Sequence, residues 1–189
     1  MRPTDLRPSS SVNVRRAVLE DLPAMALVHV NGWKTAYRGM MPDELLDRLT
    51  VESDIASGFG SGLKERRPEA DQWVAQTSDG AIVGYAVAGP NRDPNPDFAG
   101  ELEAIYVLDS HRGHGVGTVL VREVARFLLS TGRSSMIVWV LEQNPYRRFY
   151  ERRGGAPAGK RIDESHRLGG GPVPEVGYGW KDLRLLANV

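Results

Sequence analysis

The run Arg112-Gly113-His114-Gly115-Val116-Gly117 holds the chemistry most readily read from this chain. Three alternate glycines leave backbone without Cβ atoms, so the amides can take positive φ and approach a ligand closely. A helix-like segment follows at 118–130, and the N–H groups of a first helical turn have no partner inside the helix. With the positive end of the helix dipole they form an anion site. Arg112 adds a permanent charge able to bond phosphate in a bidentate way. The chemistry implied is the binding of a phosphorylated ligand.

Strand-like and helix-like segments alternate around this loop. A strand is predicted at 12–18. Asp21 and Pro23 then start a helix with apolar residues at Met25, Val28, Trp33 and Tyr37, which Gly39 and Pro42 break. A short helix is predicted at 43–49, and another at 51–64, weakened by Gly58, Gly60 and Gly62. Segments 72–76 and 81–88 read as strands joined across Ser78-Asp79-Gly80, a hairpin signal. A polar, proline-rich loop occupies 90–96, and the strand 101–107 leads into the glycine loop. The helix beyond it carries Val116, Val119, Leu120, Val124, Phe127 and Leu128 at near-helical spacing. Residues 135–141 are rich in β-branched and aromatic types and read as a buried strand. A short helix at 145–153 stops at Gly154-Gly155. A strand at 156–161, a loop at 165–174 and an amphipathic strand at 175–183 complete the pattern. The fold class expected is α/β: a mixed sheet with helices on both faces.

A length of 189 residues suits one domain with a real core, taken as 12–189 behind a loosely ordered tail at 1–11. Twenty-four basic and 24 acidic residues give zero formal charge, so no global basic excess points to nucleic acid or a membrane surface as partner. Arg147, Arg148, Arg152, Arg153, Lys160 and Arg161 cluster in sequence, but Glu151 and Asp163 interrupt them, and a solvated helix face is the expected reading. Without cysteine there is no disulfide, thiolate metal site or cysteine nucleophile. The histidines His29, His111, His114 and His166 form no i, i+4 pair, so no metal is expected. The first eleven residues lack the apolar core of a signal peptide, and no later run is long enough to span a membrane; a cytoplasmic protein is expected.

A glycine-rich loop alone fits several phosphate ligands. A dinucleotide fold places it near the start of a βαβ unit with an acid about 20 residues on, and the region near Arg133 offers none. A Walker loop needs Lys followed by Ser or Thr, absent here. Arg112-x-x-Gly115-x-Gly117, after a strand ending at Val107, instead resembles the acetyl-coenzyme A motif of the GNAT (general control-related) N-acetyltransferase superfamily. That pattern is Gln or Arg, two residues, Gly, one residue, Gly or Ala. Glu101-Leu102-Glu103-Ala104-Ile105-Tyr106-Val107 resembles the family's fourth strand, and Val138-Trp139-Val140-Leu141-Glu142-Gln143-Asn144 its fifth. Phe149-Tyr150-Glu151-Arg152-Arg153-Gly154 is similar to the tyrosine-bearing helix that follows, and the segment from Trp33 to Pro42 to the first helical region of a bacterial branch. In the family six residues separate the Asn from the Tyr. Here five separate Asn144 from Tyr150, which on a helix turns a side chain by about 100°.

The resemblance implies a mostly antiparallel mixed sheet flanked by helices, with acetyl-CoA as co-substrate. Its pyrophosphate would sit on the amides of Gly113, His114, Gly115, Val116, Gly117 and Thr118, with Arg112 beside them. Its pantetheine arm would pair with the backbone of Ile105 and Val107 as an added strand, and Asn144 would bond it. The reaction implied is direct attack of a small-molecule or peptide amine on the thioester. Deprotonating an alkylammonium of pKa near 10 at pH 7 costs about 4 kcal/mol, which a general base offsets. Glu101 and Glu103 are the candidates: spacing of two puts them on one face of a strand, and Glu101 matches the base of histone-acetylating members. Tyr150 matches the general acid, protonated at pH 7. Trp33, Tyr37 and Tyr178 would line the amine pocket, though each, read as a residue, is more often simply core. His111 and His114 lie on the phosphate side as exposed loop residues. A homodimer is common in the family. A non-catalytic acyl-CoA sensor is the alternative function, and a nucleotide-dependent oxidoreductase a third class.

Overall fold

Among the described residues seven strands form one sheet: β1 (Asn13–Arg16), β2 (Asp71–Gln76), β3 (Ile82–Pro90), β4 (Gly100–Val107), β5 (Met136–Leu141), β6 (Ala156–Asp163) and β7 (Val173–Trp180), in the order β1-β2-β3-β4-β5-β7-β6. The structure, a computed structural model, describes residues 12–65, 69–93, 97–164 and 172–188. The expected tail at 1–11, residues 94–96 of the proline-rich loop and residues 165–171 of the glycine-rich loop lie outside them. Every neighbouring pair is antiparallel except β4 and β5, which run parallel. The expected mixed, mostly antiparallel sheet is present.

Helix α1 (Leu22–Ala36) covers one face, packing Met25 and Val28 against Val74 and Tyr85. Pro23 in its first turn supplies a φ already suited to a helix. Helix α5 (Val116–Ser130) covers the other face with Val116, Leu120, Val121, Val124 and Leu128, close to the apolar period of its sequence. Between α1 and β2 run α2 (Asp43–Arg48), α3 (Val51–Ala56) and α4 (Ser61–Glu65). The single helix expected at 51–64 is two, because the chain turns through Gly58 and Gly60 with φ of 101° and 77°. After β5 a 3-10 turn leads into α6 (Arg148–Arg152). The last strand, expected to run to residue 183, ends at Trp180, and a short helix α7 (Arg184–Ala187) that was not expected follows. Its Leu186 and Ala187 are buried against the α5 side of the core, a tertiary demand that local pattern did not reveal.

Two irregularities position the site. The parallel ladder of β4 and β5 consists of two residue pairs, Gly100 with Met136 and Glu101 with Ile137. Beyond them the strands part, while β4 stays paired to β3 as far as Val107 and β5 to β7 as far as Leu141. Each therefore turns an unladdered edge to the gap. The second irregularity is a bulge: Val87 faces Ala104 but Ala88 faces Leu102, leaving Glu103 as an extra residue in β4. The alternation flips there. Leu102, Ile105 and Val107 belong to the α5 side, and Ala104 and Tyr106 to the α1 side.

Helix α1 comes close to β4 at Gly32, where a Cβ would stand 2.4 Å from Cδ1 of Tyr106. Alanine at an interior helix position gains about 1 kcal/mol over glycine, but overpacking a tight contact costs about 1–3 kcal/mol. The Tyr106 ring is stacked on Tyr85 and has little room to give. Gly32→Ala is therefore expected to lower stability by about 1 kcal/mol, read as an earlier urea midpoint. A later midpoint would show that α1 is free to move away from β4.

Candidate active site

A cavity of about 1100 Å³ follows the gap between β4 and β5 and continues beneath α1. Its two ends differ in charge. At one end lie the glycine loop and the first turn of α5, with Arg112, Arg152 and Arg153 in the wall. At the other, Glu101, Glu103, Asp163 and Glu175 stand with Arg92 and Arg161.

At the first end Gly115 is the N-cap of α5 with φ of 84°, and Gly113 has φ of 77°. No side chain caps the helix, so its first amides carry no competing side-chain acceptor. A Cβ on either glycine would meet nothing within 4 Å, so backbone conformation rather than space calls for glycine. Gly117 is different: a Cβ there would come within 3.2 Å of the Phe149 ring on α6. Arg112 folds back along the strand end. Its Nε donates to the Val107 carbonyl at 3.2 Å, it pairs with Asp109 at 2.8 Å, it donates to the Tyr146 hydroxyl, and its guanidinium covers the Tyr146 ring. Arg153 donates to the Thr118 hydroxyl and lies over Phe149, leaving its buried Nε unpartnered among the described residues. The sequence reading of the basic cluster as a solvated face holds for Arg147, Arg148 and Arg152, which are exposed. It fails for Arg153 and Arg161. Phe149 and Thr118 draw the first inward, and Trp139, Glu175 and Asp93 draw the second.

At the second end Arg92 organises the carboxylates. Its backbone N–H and Nε both donate to Oε2 of Glu101 at 3.0 Å, and its Nη2 donates to Oε1 at 2.6 Å. Glu101 is 2% exposed. Glu103 stands 3.3 Å from the same guanidinium. The two glutamates meet on one cation as their spacing suggested, but through the bulge at Glu103 rather than plain alternation. Nothing in the polar loop at 90–96 singled out Arg92. A positive charge near the paired acids was the signal available.

Tyr150 on α6 is buried between Tyr178, stacked at 5.9 Å, and the edges of Phe149 and Trp180. It faces the cavity, and burial pushes its phenol well above the usual tyrosine range. Asn144 also lines the cavity, with Oδ1 accepting from the Tyr146 N–H at 2.8 Å to cap the turn before α6. Ile105, Val107, Val116, Thr118, Trp33 and Tyr37 are in the wall as well. Tyr37 shares a 3.1 Å hydrogen bond with the Tyr106 hydroxyl. Two expected residues are not in the wall. Tyr178 on β7 turns its hydroxyl away to Glu151 at 2.7 Å, which corrects its placement in the amine pocket. The His114 side chain is exposed outside the cavity, and His111 bonds the neighbouring Ser110. The sequence reading missed Arg92, Trp139 and the ring cluster of His29, Phe59, Tyr85 and Tyr106.

With the gap, the glycine loop and the buried tyrosine in place, the comparisons with known proteins agree on one family. The profile of the acetyltransferase (GNAT) family matches residues 33–155, and the chain belongs to that family. It is 39% identical over 179 residues to the uncharacterized N-acetyltransferase YuaI of Bacillus subtilis, covering 94% of this chain and 98% of the relative. It is 26% identical over 185 residues to the L-methionine sulfoximine/L-methionine sulfone acetyltransferase of Pseudomonas aeruginosa, covering 93% of each. The PaiA N-acetyltransferase of Thermoplasma acidophilum, solved in complex with coenzyme A, shares the fold at a TM-score of 0.62 and 16% identity, over 90% of this chain and 99% of that one. The chain is accordingly an N-acetyltransferase with acetyl-CoA as co-substrate. The sensor and oxidoreductase alternatives are set aside. No helix among the described residues is long and apolar enough to cross a membrane.

Removing Arg92 strands the buried Glu101 carboxylate, and because Arg92 itself is 44% exposed, water reaches the vacated side and the cost is about 2 kcal/mol. Arg92→Met should therefore destabilise the chain by about that amount in urea unfolding. The double substitution with Glu101→Gln should recover most of the loss. A neutral Arg92→Met would mean that Glu101 is satisfied by other groups.

Proposed function

We propose that the chain transfers the acetyl group of acetyl-CoA to the primary amine of a small molecule. The observation that carries this reading is the continuity of one cavity from the glycine loop, along the open edge of β4, to a ring-lined pocket under α1. The diphosphate sits on the amides of Gly113 to Thr118, where the α5 dipole and Arg153 favour negative charge. The pantetheine arm takes the place of the missing strand against Ile105 and Val107. Arg112 moves from the Val107 carbonyl as it does so, and Asn144 stands beside the arm. The thioester then lies where β4 and β5 separate, near Glu103 and Ala104.

The amine nitrogen attacks the thioester carbonyl carbon, the new C–N bond forms, and the C–S bond breaks. Tyr150 gives its proton to the departing thiolate. A phenol held neutral by its burial is suited to that task because it stays a donor across the working pH range. The proton released by the amine goes to a base in the cavity wall. Trp33 and Tyr37 form part of the pocket wall. Its rings suit the apolar body of a small amine, and the full-length similarity to an enzyme acting on methionine sulfoximine makes an amino-acid-like amine the first to try.

Thiol release is to be followed with acetyl-CoA and a panel of primary amines headed by L-methionine sulfoximine. We expect turnover on a member of the panel. Tyr150→Phe should lower kcat by about 100-fold, the scale of general acid catalysis, while the dissociation constant for acetyl-CoA changes by less than about twofold. Because burial raises the Tyr150 pKa, loss of rate from its deprotonation should not set in below about pH 10. Tight cofactor binding with no amine turned over would contradict the small-amine reading. Full activity in Tyr150→Phe would contradict the assigned acid.

A further inference from the structure

We propose that His29, oriented by Asp54, is the base that accepts the amine proton in this enzyme. The proposal rests on the acetyl transfer described above and assigns it a residue outside β4. His29 lies on α1, four residues after the buried Met25 and four before Trp33, so it faces inward. Its Nδ1 is 2.8 Å from Oδ2 of Asp54 on α3. The pair is sequestered, with His29 15% and Asp54 6% exposed at the side chain. Phe59 stacks on the imidazole at 4.7 Å and 15°, while Trp33, Tyr85 and Tyr106 meet it edge-on. These rings and the imidazole line the cavity, and Asp54 stands behind them outside its wall.

A carboxylate accepts only, so in the neutral imidazole paired with it the shared hydrogen sits on Nδ1 and Nε2 carries the lone pair. Among the described residues Nε2 makes no hydrogen bond. A neutral imidazole with one nitrogen fixed by a carboxylate and the other open to a substrate cavity is the arrangement of an oriented base. The other titratable groups packed on the ring are Tyr85 on β3 and Tyr106 on β4, with Tyr37 beyond Tyr106. Burial raises all three phenols, so they stay neutral and Asp54 is the charge His29 meets. The carboxylates on β4 are less suited. Both Glu101 oxygens already accept from Arg92, and Glu103 pairs with the same guanidinium. As the C–N bond forms, the amine nitrogen becomes strongly acidic and its proton passes to Nε2. Asp54 stabilises the imidazolium, the thiolate takes the Tyr150 proton, and both residues are restored by proton exchange with solvent.

The test is the pH dependence of kcat/KM with L-methionine sulfoximine and the amine panel, for the full chain and for His29→Asn, Asp54→Asn and Glu101→Gln. His29→Asn should lower kcat by about 100-fold or more, abolish the acidic limb of the profile, and leave the acetyl-CoA dissociation constant within about twofold. Asp54→Asn should also lower kcat, because the imidazole loses the carboxylate that orients it, with the acetyl-CoA dissociation constant again within about twofold. Glu101→Gln should keep the limb in place. A limb that survives His29→Asn, or one lost with Glu101→Gln, would overturn the proposal. Long-range proton–nitrogen NMR on the wild-type chain with coenzyme A bound gives a second readout needing neither a variant nor an amine. A proton on Nδ1 and a bare Nε2 near neutral pH support the assignment, and the opposite tautomer refutes it. Absence of wild-type turnover on the panel counts against the small-amine reading, and the NMR result then decides the case of His29 alone.

Discussion

The early end of the parallel ladder between β4 and β5 is the constraint on which the rest of the structure depends. Two residue pairs join these strands, and beyond Glu101 each keeps its outer neighbour while losing its inner one. Backbone amides and carbonyls removed from water need partners, and a gap in mid-sheet supplies none of its own. The Arg112 side chain takes up one of them, the Val107 carbonyl, and an extended ligand can take up others. The same parting leaves room for α5 to aim its N-terminus at the end of the gap, so the sheet defect and the uncapped helix end arise together.

Charge and burial then divide the cavity. The glycine-loop end carries the positive pole of a helix dipole and three arginines. The other end has excess acid held in check by Arg92 and Arg161. A buried carboxylate such as Glu101 is tolerated because three donors of one residue saturate it. The same saturation argues against its taking a proton. The bulge at Glu103 re-aims β4 so that Tyr106 meets α1 while Ile105 and Val107 stay on the α5 side. Gly32 lets α1 approach that ring closely, and the approach brings His29 into the cavity wall.

The glycine loop, β4 and α5 were legible in the sequence because their signals are local, glycines at fixed offsets and an apolar period, whereas Tyr150 was picked out by the resemblance of its helix despite a spacing one residue short. The split of the helix at Gly58 and Gly60 was half-legible, since the glycines were visible but not their positive φ. Arg92 was not legible: its role depends on a loop folding back onto buried acids, and no spacing encodes that. Tyr178 was assigned to the pocket by the resemblance alone, and no local pattern shows that its hydroxyl finds Glu151 on α6. His29 left a trace, its helical phase with Met25 and Trp33, but Asp54 is 25 residues away and joins it only in three dimensions.

A crystal structure of the chain with coenzyme A decides whether the gap in the sheet is the cofactor site. We expect the diphosphate on the amides of Gly113 to Thr118, the pantetheine arm along the open edge of β4 at Ile105 and Val107, and the sulfur within reach of the Tyr150 hydroxyl. Coenzyme A bound outside the gap, with β4 and β5 laddered past Glu101, would contradict it.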